Sequence, residues 1–269
     1  NPFGILFHPK AIETIIKNAI NKKEYTGKDV FFLNERWHSF EAHSQLSSTS
    51  KEEIIEQLNK ASISTNKSLK DSNHIIITLG TSWVYLLKET GLAVANCHKV
   101  PQGKFQKELL SVTKIIESLK LIISLIKEIN PTINFIFTVS PVRHLKDGFI
   151  ENQQSKSHLI TALHQVIKSH ENSFYFPSYE LMMDELRDYR FYKEDMIHPN
   201  NSAINYIWEK FSKNWLSNKA IELKEEVLKI QRGLEHKPFN SNSKEHVKFL
   251  TSLQDRIQAI QKKCSHISF

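Results

Sequence analysis

Asp195-Met196-Ile197-His198-Pro199 places a carboxylate three residues before an imidazole. A histidine with such a partner is held in one tautomer, takes a proton from a hydroxyl, and is stabilised when it becomes imidazolium. Asp195 would orient and His198 would act as base. The nucleophile is missing from the neighbourhood of the pair. A second thiol-imidazole candidate, Cys97-His98, is poorly arranged, because adjacent residues on an extended chain point to opposite faces. Cys97 is therefore expected in a buried structural role.

Other chemistries find less support. Trp37-His38, His43, His98, His144 and His198 offer imidazole, yet no His-x-x-x-His helix or comparable ligand spacing occurs, so no metal is expected. Only seven glycines are present, and none has the grouping of a phosphate loop or dinucleotide fingerprint. No cofactor is expected. The two cysteines, Cys97 and Cys264, cannot build a disulfide framework or a paired zinc site.

The elements that must position the acid-histidine pair follow an α/β order. Apolar runs at 30–33, 75–79, 134–139 and 174–176 read as strands, and the last three alternate with helical patterns, as parallel strands joined by crossover helices do. A helix is expected over about 105–129, with Leu109, Val112, Ile116, Leu119, Ile123 and Ile126 on one stripe; Asn130-Pro131 ends it. Another is expected over about 155–169, a polar helix-like stretch over 179–192, and a closing helix over 201–217. Residues 219–269 read as two helices separated by His236-Lys237-Pro238-Phe239-Asn240, a helical extension of the α/β domain. The expected division is 1–218 and 219–269.

At 269 residues, with 40% hydrophobic and 24% charged content, the chain suits one large domain plus an extension, and no apolar run is long enough to span a bilayer. The formal charge of +7 is spread along helices without a dense basic tract, so no nucleic-acid partner is expected. The chain opens on Asn1 with no charged-then-apolar leader, and a cytoplasmic location is the expectation, with any targeting segment removed or not included. The sequence leaves the oligomeric state open.

The stretch from 179 to 199, Tyr-Glu-Leu-Met-Met-Asp-Glu-Leu-Arg-Asp-Tyr-Arg-Phe-Tyr-Lys-Glu-Asp-Met-Ile-His-Pro, closely resembles the closing motif of the GSCFA family, a branch of the SGNH (GDSL-like) hydrolase superfamily. In order along the chain, Asn1-Pro2-Phe3-Gly4-Ile5-Leu6-Phe7-His8-Pro9, Trp37-His38-Ser39-Phe40-Glu41-Ala42-His43-Ser44, Thr78-Leu79-Gly80-Thr81-Ser82-Trp83-Val84-Tyr85, Asn96-Cys97-His98-Lys99 and Thr138-Val139-Ser140-Pro141-Val142-Arg143-His144 resemble the same family. The resemblance spans residues 1 to about 250. The family's opening string, Gly-Ser-Cys-Phe-Ala, has no counterpart here, so the resemblance implies a nucleophilic serine upstream of Asn1.

It further implies a three-layer α/β/α sandwich with a mostly parallel sheet, its first strand missing, and an esterase or acyl hydrolase acting on an O-acyl group of a small molecule or glycan. Ligands of open α/β sheets bind at the carboxyl ends of the strands. Gly80-Thr81-Ser82 takes the place of a superfamily block in which an asparagine serves the oxyanion hole; here Ser82 stands at that position, as a hydroxyl donor or as a turn residue. Gly4 is either a backbone donor or a turn glycine with positive φ. Asn96 and His98 are alternative donors, and His98 and Lys99 would face the cleft. Arg143 either clamps a carboxylate or phosphate or ties its loop to Asp184 or Asp188, and His144 is a possible second acid or base. Two readings from other classes remain: a noncatalytic binding module for acylated glycans, and an interaction protein that uses its helical tail.

Overall fold

Helix α1 (Pro9–Ile20) begins where His8 caps it, accepting from the Ala11 N–H at 3.1 Å, and Pro9 fills the first turn, where a missing N–H costs nothing. A hairpin follows, β1 (Phe31–Leu33) against β2 (Arg36–His38), turning at Asn34 and Glu35 with φ of 48° and 59°. Helix α2 (Lys51–Asp71) is capped by the Ser50 hydroxyl and leads into β3 (His74–Leu79). The chain then forms β4 (Trp83–Leu87), β5 (Ala93–Val94) and β6 (Phe105–Leu109), an antiparallel sheet in the order β5-β4-β6. Helix α3 (Val112–Ile129), β7 (Asn134–Val139), α4 (Phe149–Lys168) and β8 (Ser173–Phe176) complete a parallel sheet in the order β3-β7-β8. A helical turn, α5 (Ser178–Glu180), precedes α6 (Asn201–Trp215), α7 (Asn218–Glu235) and α8 (Lys244–Lys263). This computed structural model describes residues 1–240 and 243–269.

The fold is α/β with a mostly parallel sheet and a helical C-terminal region, in keeping with an α/β/α sandwich. Ile77, Leu79, Phe135, Phe137 and Val139 turn one face of β3 and β7 into the core, where Ile115, Leu119, Ile122 and Ile126 of α3 and Leu159 and Leu163 of α4 are also buried. Each such side chain contributes about 1.5–3 kcal/mol on burial. The other face of β3 stays open: Ile76 is 54% exposed. β3 is an edge strand, and its free side borders a groove of about 610 Å³ lined by Ile12, Ile15, Leu69, Ile76 and Ile133.

Several elements differ from expectation. The helix expected over 105–129 begins only at Val112; Phe105–Leu109 is a strand paired antiparallel with β4, and Ser111 caps the helix by accepting from the Lys114 N–H. Pairing with Trp83–Leu87 overrides the helix propensity of Gln106-Lys107-Glu108. Helix α4 starts six residues before the expected Ser155, at Phe149, because Gly148 takes a φ of 111° that breaks the preceding chain. The 179–192 stretch is not one helix: α5 runs into a π-helical turn, Leu181–Glu185, and a 3₁₀ turn, Tyr189–Phe191. π turns often mark functional sites.

The chain divides into two compact units, Asn1–Ile204 and Asn205–Phe269. In the second, Ile230, Leu253, Ile257 and Ile260 form a small core of their own, with Leu223, Val227 and Ile267 packed on it. No helix among the described residues is long and apolar enough to cross a membrane.

Candidate active site

Asp195 and His198 share one loop, and the loop's own backbone holds them. Tyr192 and Pro199 form an isolated bridge, the Lys193 N–H donates to the His198 carbonyl at 2.8 Å, and Met196 adopts a φ of 56°. Asp195 Oδ1 accepts from the N–H groups of Ile197 (2.8 Å) and His198 (3.0 Å), an Asx-type turn. Its Oδ2 lies 2.7 Å from His198 Nδ1. The His198 backbone N–H, its ring and the Ile197 N–H hold the Asp195 carboxyl down at about 2. An ionised partner assigns the proton to Nδ1 and leaves Nε2 as the basic nitrogen. Nε2 makes no hydrogen bond among the described residues. With side chains 52% and 43% exposed, the pair adds little to stability, since solvent screens it; its effect is on tautomer and orientation.

Arg143 ties this loop to the carboxyl end of β7. Its N–H donates to the Ile197 carbonyl at 3.2 Å, and Nη1 donates to the Met196 carbonyl at 2.8 Å. Neither Asp184 nor Asp188 is its partner. His144, the next residue, meets Phe7 edge-on at 5.7 Å between ring centres, and its N–H donates to Asn152 Oδ1. The ring crowds Gly80 so closely that a Cβ there would lie 3.1 Å from Nε2. Burial, then the Lys156 charge, push the His144 imidazole down to about 4, with His198 adding in the same direction. At neutral pH His144 is an uncharged donor or acceptor beside Gly80.

Beneath these loops lies a residue that the sequence reading missed. Lys156 is 1% exposed, and Nζ donates to the carbonyls of Gly80 and Ser140, both at 2.6 Å, linking the ends of β3 and β7. Burial pushes its ammonium down to about 7, while the two carbonyls favour the charged form. A signal existed: Asn152, Ser155, Lys156, Leu159, Leu163 and Val166 form one helical stripe, and a lysine on a buried stripe needs partners.

The remaining expected residues are engaged elsewhere. Ser82 is fully buried; its N–H donates to Ser155 Oγ at 2.7 Å and its hydroxyl to the Ser155 carbonyl at 3.1 Å, so it locks β4 to α4 and presents no donor to a cleft. Gly4 takes φ 80° and its N–H donates to the Asn1 carbonyl, which makes it the turn glycine rather than a free donor. The Gly80 N–H donates to the Phe7 carbonyl at 2.7 Å. Asn96 Oδ1 accepts from the His98 N–H at 2.9 Å. His98 is buried, with Nε2 donating to the carbonyls of Ser39 (2.7 Å) and Ala42 (3.1 Å), and burial pushes it down to about 4; it braces a loop and does not face a cleft. Cys97 is half-buried, and burial pushes its thiol up, away from nucleophilic use. Among the described residues no three His, Cys, Asp or Glu side chains converge as metal ligands.

The structure thus brings Asp195, His198, Arg143, His144 and Gly80 together through bonded loops at the carboxyl ends of β3 and β7. No curated protein and no solved structure matches the chain. The model of the GSCFA family matches residues 1–211, and that of the GSCFA domain protein, C-terminal domain, matches residues 227–269. With more than half of its length covered by the first, the chain belongs to the GSCFA family.

Proposed function

We propose that this chain supplies the acid-base part of a serine ester hydrolase of SGNH type, acting on an O-acyl ester, with the nucleophilic serine on a segment upstream of Asn1. The observation that carries the reading is the 2.7 Å contact of Asp195 Oδ2 with His198 Nδ1, which leaves Nε2 free to work. In the reaction the serine oxygen attacks the ester carbonyl while its proton passes to Nε2. Collapse of the tetrahedral intermediate expels the alcohol, which takes that proton, and water then repeats the sequence to free the acid. His144, uncharged and beside Gly80, is the donor we assign to the developing oxyanion in place of Ser82. Lys156 holds the two strand ends in register beneath it.

The open edge of β3 supports an entry point for the serine. His-Ile-Ile-Ile-Thr-Leu (74–79) is the near-continuous apolar run of a strand flanked on both sides, yet among the described residues only β7 pairs with it. A strand laid parallel in the apolar groove would end level with Gly80, next to His144. Such a segment, carried in the native reading frame, satisfies an edge that would otherwise invite aggregation.

The test uses the complete native frame with a short-chain aryl ester. His198→Ala should lower kcat/KM by about three to four powers of ten, and Asp195→Asn by a comparable factor, because the wrong tautomer disables proton transfer. Turnover that survives both substitutions would sink the mechanism.

A further inference from the structure

A cavity of about 430 Å³ lies beside the loop that carries His198. Its lining includes Tyr179 and Met182, both buried, with Met183 and Leu186 from the π-helical turn and its exit, and Arg143 and Tyr192. Arg143 and Tyr192 are shared with the catalytic loop: Arg143 bonds the Met196 and Ile197 carbonyls, and Tyr192 bridges to Pro199.

We propose that this cavity is a substrate subsite that takes one half of the ester, an apolar, flat group bearing a single carboxylate; the proposal rests on the ester-hydrolase reading above. Three observations converge on that ligand. The first is charge. Arg143 spends Nη1 on the Met196 carbonyl, and its Nε and Nη2 have no partner among the described residues, which leaves donors for an incoming carboxylate. Arg187 and Asp188 also line the cavity, which gives its wall two arginines against one aspartate, a formal excess of one positive charge that a carboxylate matches. Asp188 is turned to its own turn, accepting from the Arg190 N–H at 2.8 Å with Oδ2 3.6 Å from Arg190 Nε.

The second is shape. Tyr189 and Tyr192 flank the guanidinium, with ring centres 5.9 Å and 5.7 Å from Arg143 Cζ, so flat surfaces border the anion site. The third is the lining itself: two methionines and two leucines adapt to an apolar body and keep water from it, which strengthens the ion pair. A carboxylate held on Arg143 would lie against the backbone of Met196 and Ile197, one residue from His198.

Equilibrium binding to the chain itself tests this, with naphthoate as probe and neutral naphthamide as its isostere, followed by tyrosine and tryptophan fluorescence. Naphthoate should bind at least about tenfold more tightly, the size of one hydrogen bond to a charged group. Arg143→Gln should remove that preference and leave naphthamide affinity unchanged. Because Arg143 also braces a loop, Met183→Trp provides a second variant that fills the cavity and leaves the guanidinium in place; it should weaken both probes. Equal affinity for the two probes, absence of saturable binding, or a preference that persists in both variants would each overturn the proposal. His198→Ala should leave naphthoate binding intact. Loss of hydrolysis as a function would therefore leave the binding result standing, and His198-dependent turnover without naphthoate preference would remove the subsite alone.

Discussion

Three donors converge on the Asp195 carboxylate, and this fixes how the site responds to acid. Its folded value, about 2, lies below the unfolded value near 4. The sign follows: its contribution to stability is complete above about pH 4 and is lost as pH falls through about 2. Asp195 therefore stays ionised above about pH 3. In the complete native frame Asp195 should add no limb to the kcat/KM profile above about pH 3, whereas His144, held at about 4, should add one that His144→Ala removes; a limb near pH 4 that survives that substitution would show Asp195 titrating there. His144→Ala should also lower kcat by about a hundredfold, the effect of one lost oxyanion donor. Lys156 belongs to the same scale, since its two carbonyl acceptors lie at strand ends and have no other donor among the described residues. Lys156→Met should destabilise by about 2 kcal/mol or more, read by denaturant unfolding, because it strands those acceptors.

Elements set where these residues stand. The segment before α1 carries the Phe7 carbonyl, which accepts from Gly80 (2.7 Å) and Thr81 (3.0 Å), so a turn at the start of the chain braces the loop after β3. Gly4 makes that turn possible. A Cβ there would lie 2.5 Å from the His43 Cβ, on a backbone with φ 80°. Gly4→Ala should therefore cost about 2–3 kcal/mol in urea unfolding, from the left-handed strain and the clash together; an unchanged midpoint would contradict the packing of this turn on His43. The Ser82-Ser155 bonds serve an equivalent purpose between β4 and α4. Replacing a hydroxyl there tests structure first and chemistry second.

At the scale of the molecule the decisive feature is a strand, β3, with one open edge among the described residues. Every second amide of β3 points away from β7, toward the groove. In the complete native frame, hydrogen exchange at those amides should slow relative to the same amides in this chain, while α3 and β7 amides exchange alike in both. No difference at β3 would remove the proposed strand addition and with it the entry route for the serine. The open edge also accounts for an Ile76 side chain left 54% exposed in a sheet otherwise rich in buried isoleucine and phenylalanine.

Local chemistry made part of this protein readable from sequence alone. The parallel strands β3, β7 and β8 declare themselves through apolar runs, and Asn130-Pro131 stops α3 where a residue before proline leaves helical geometry. The Asp195-x-x-His198 contact was legible because an Asx turn brings residues three apart together without help from elsewhere. What depended on a distant partner was not. β4 and β6 are ordinary short segments until they pair, and Ser82 reads as a cleft donor until Ser155, seventy-three residues away, consumes its hydroxyl. Lys156 becomes a clamp only when β3 and β7 lie side by side, and Arg143 becomes the wall of a cavity only when Tyr189 and Tyr192 fold beside it. Backbone preferences and periodicity act within a few residues, whereas burial and hydrogen-bond satisfaction are properties of the packed whole, and only the tertiary structure could decide them.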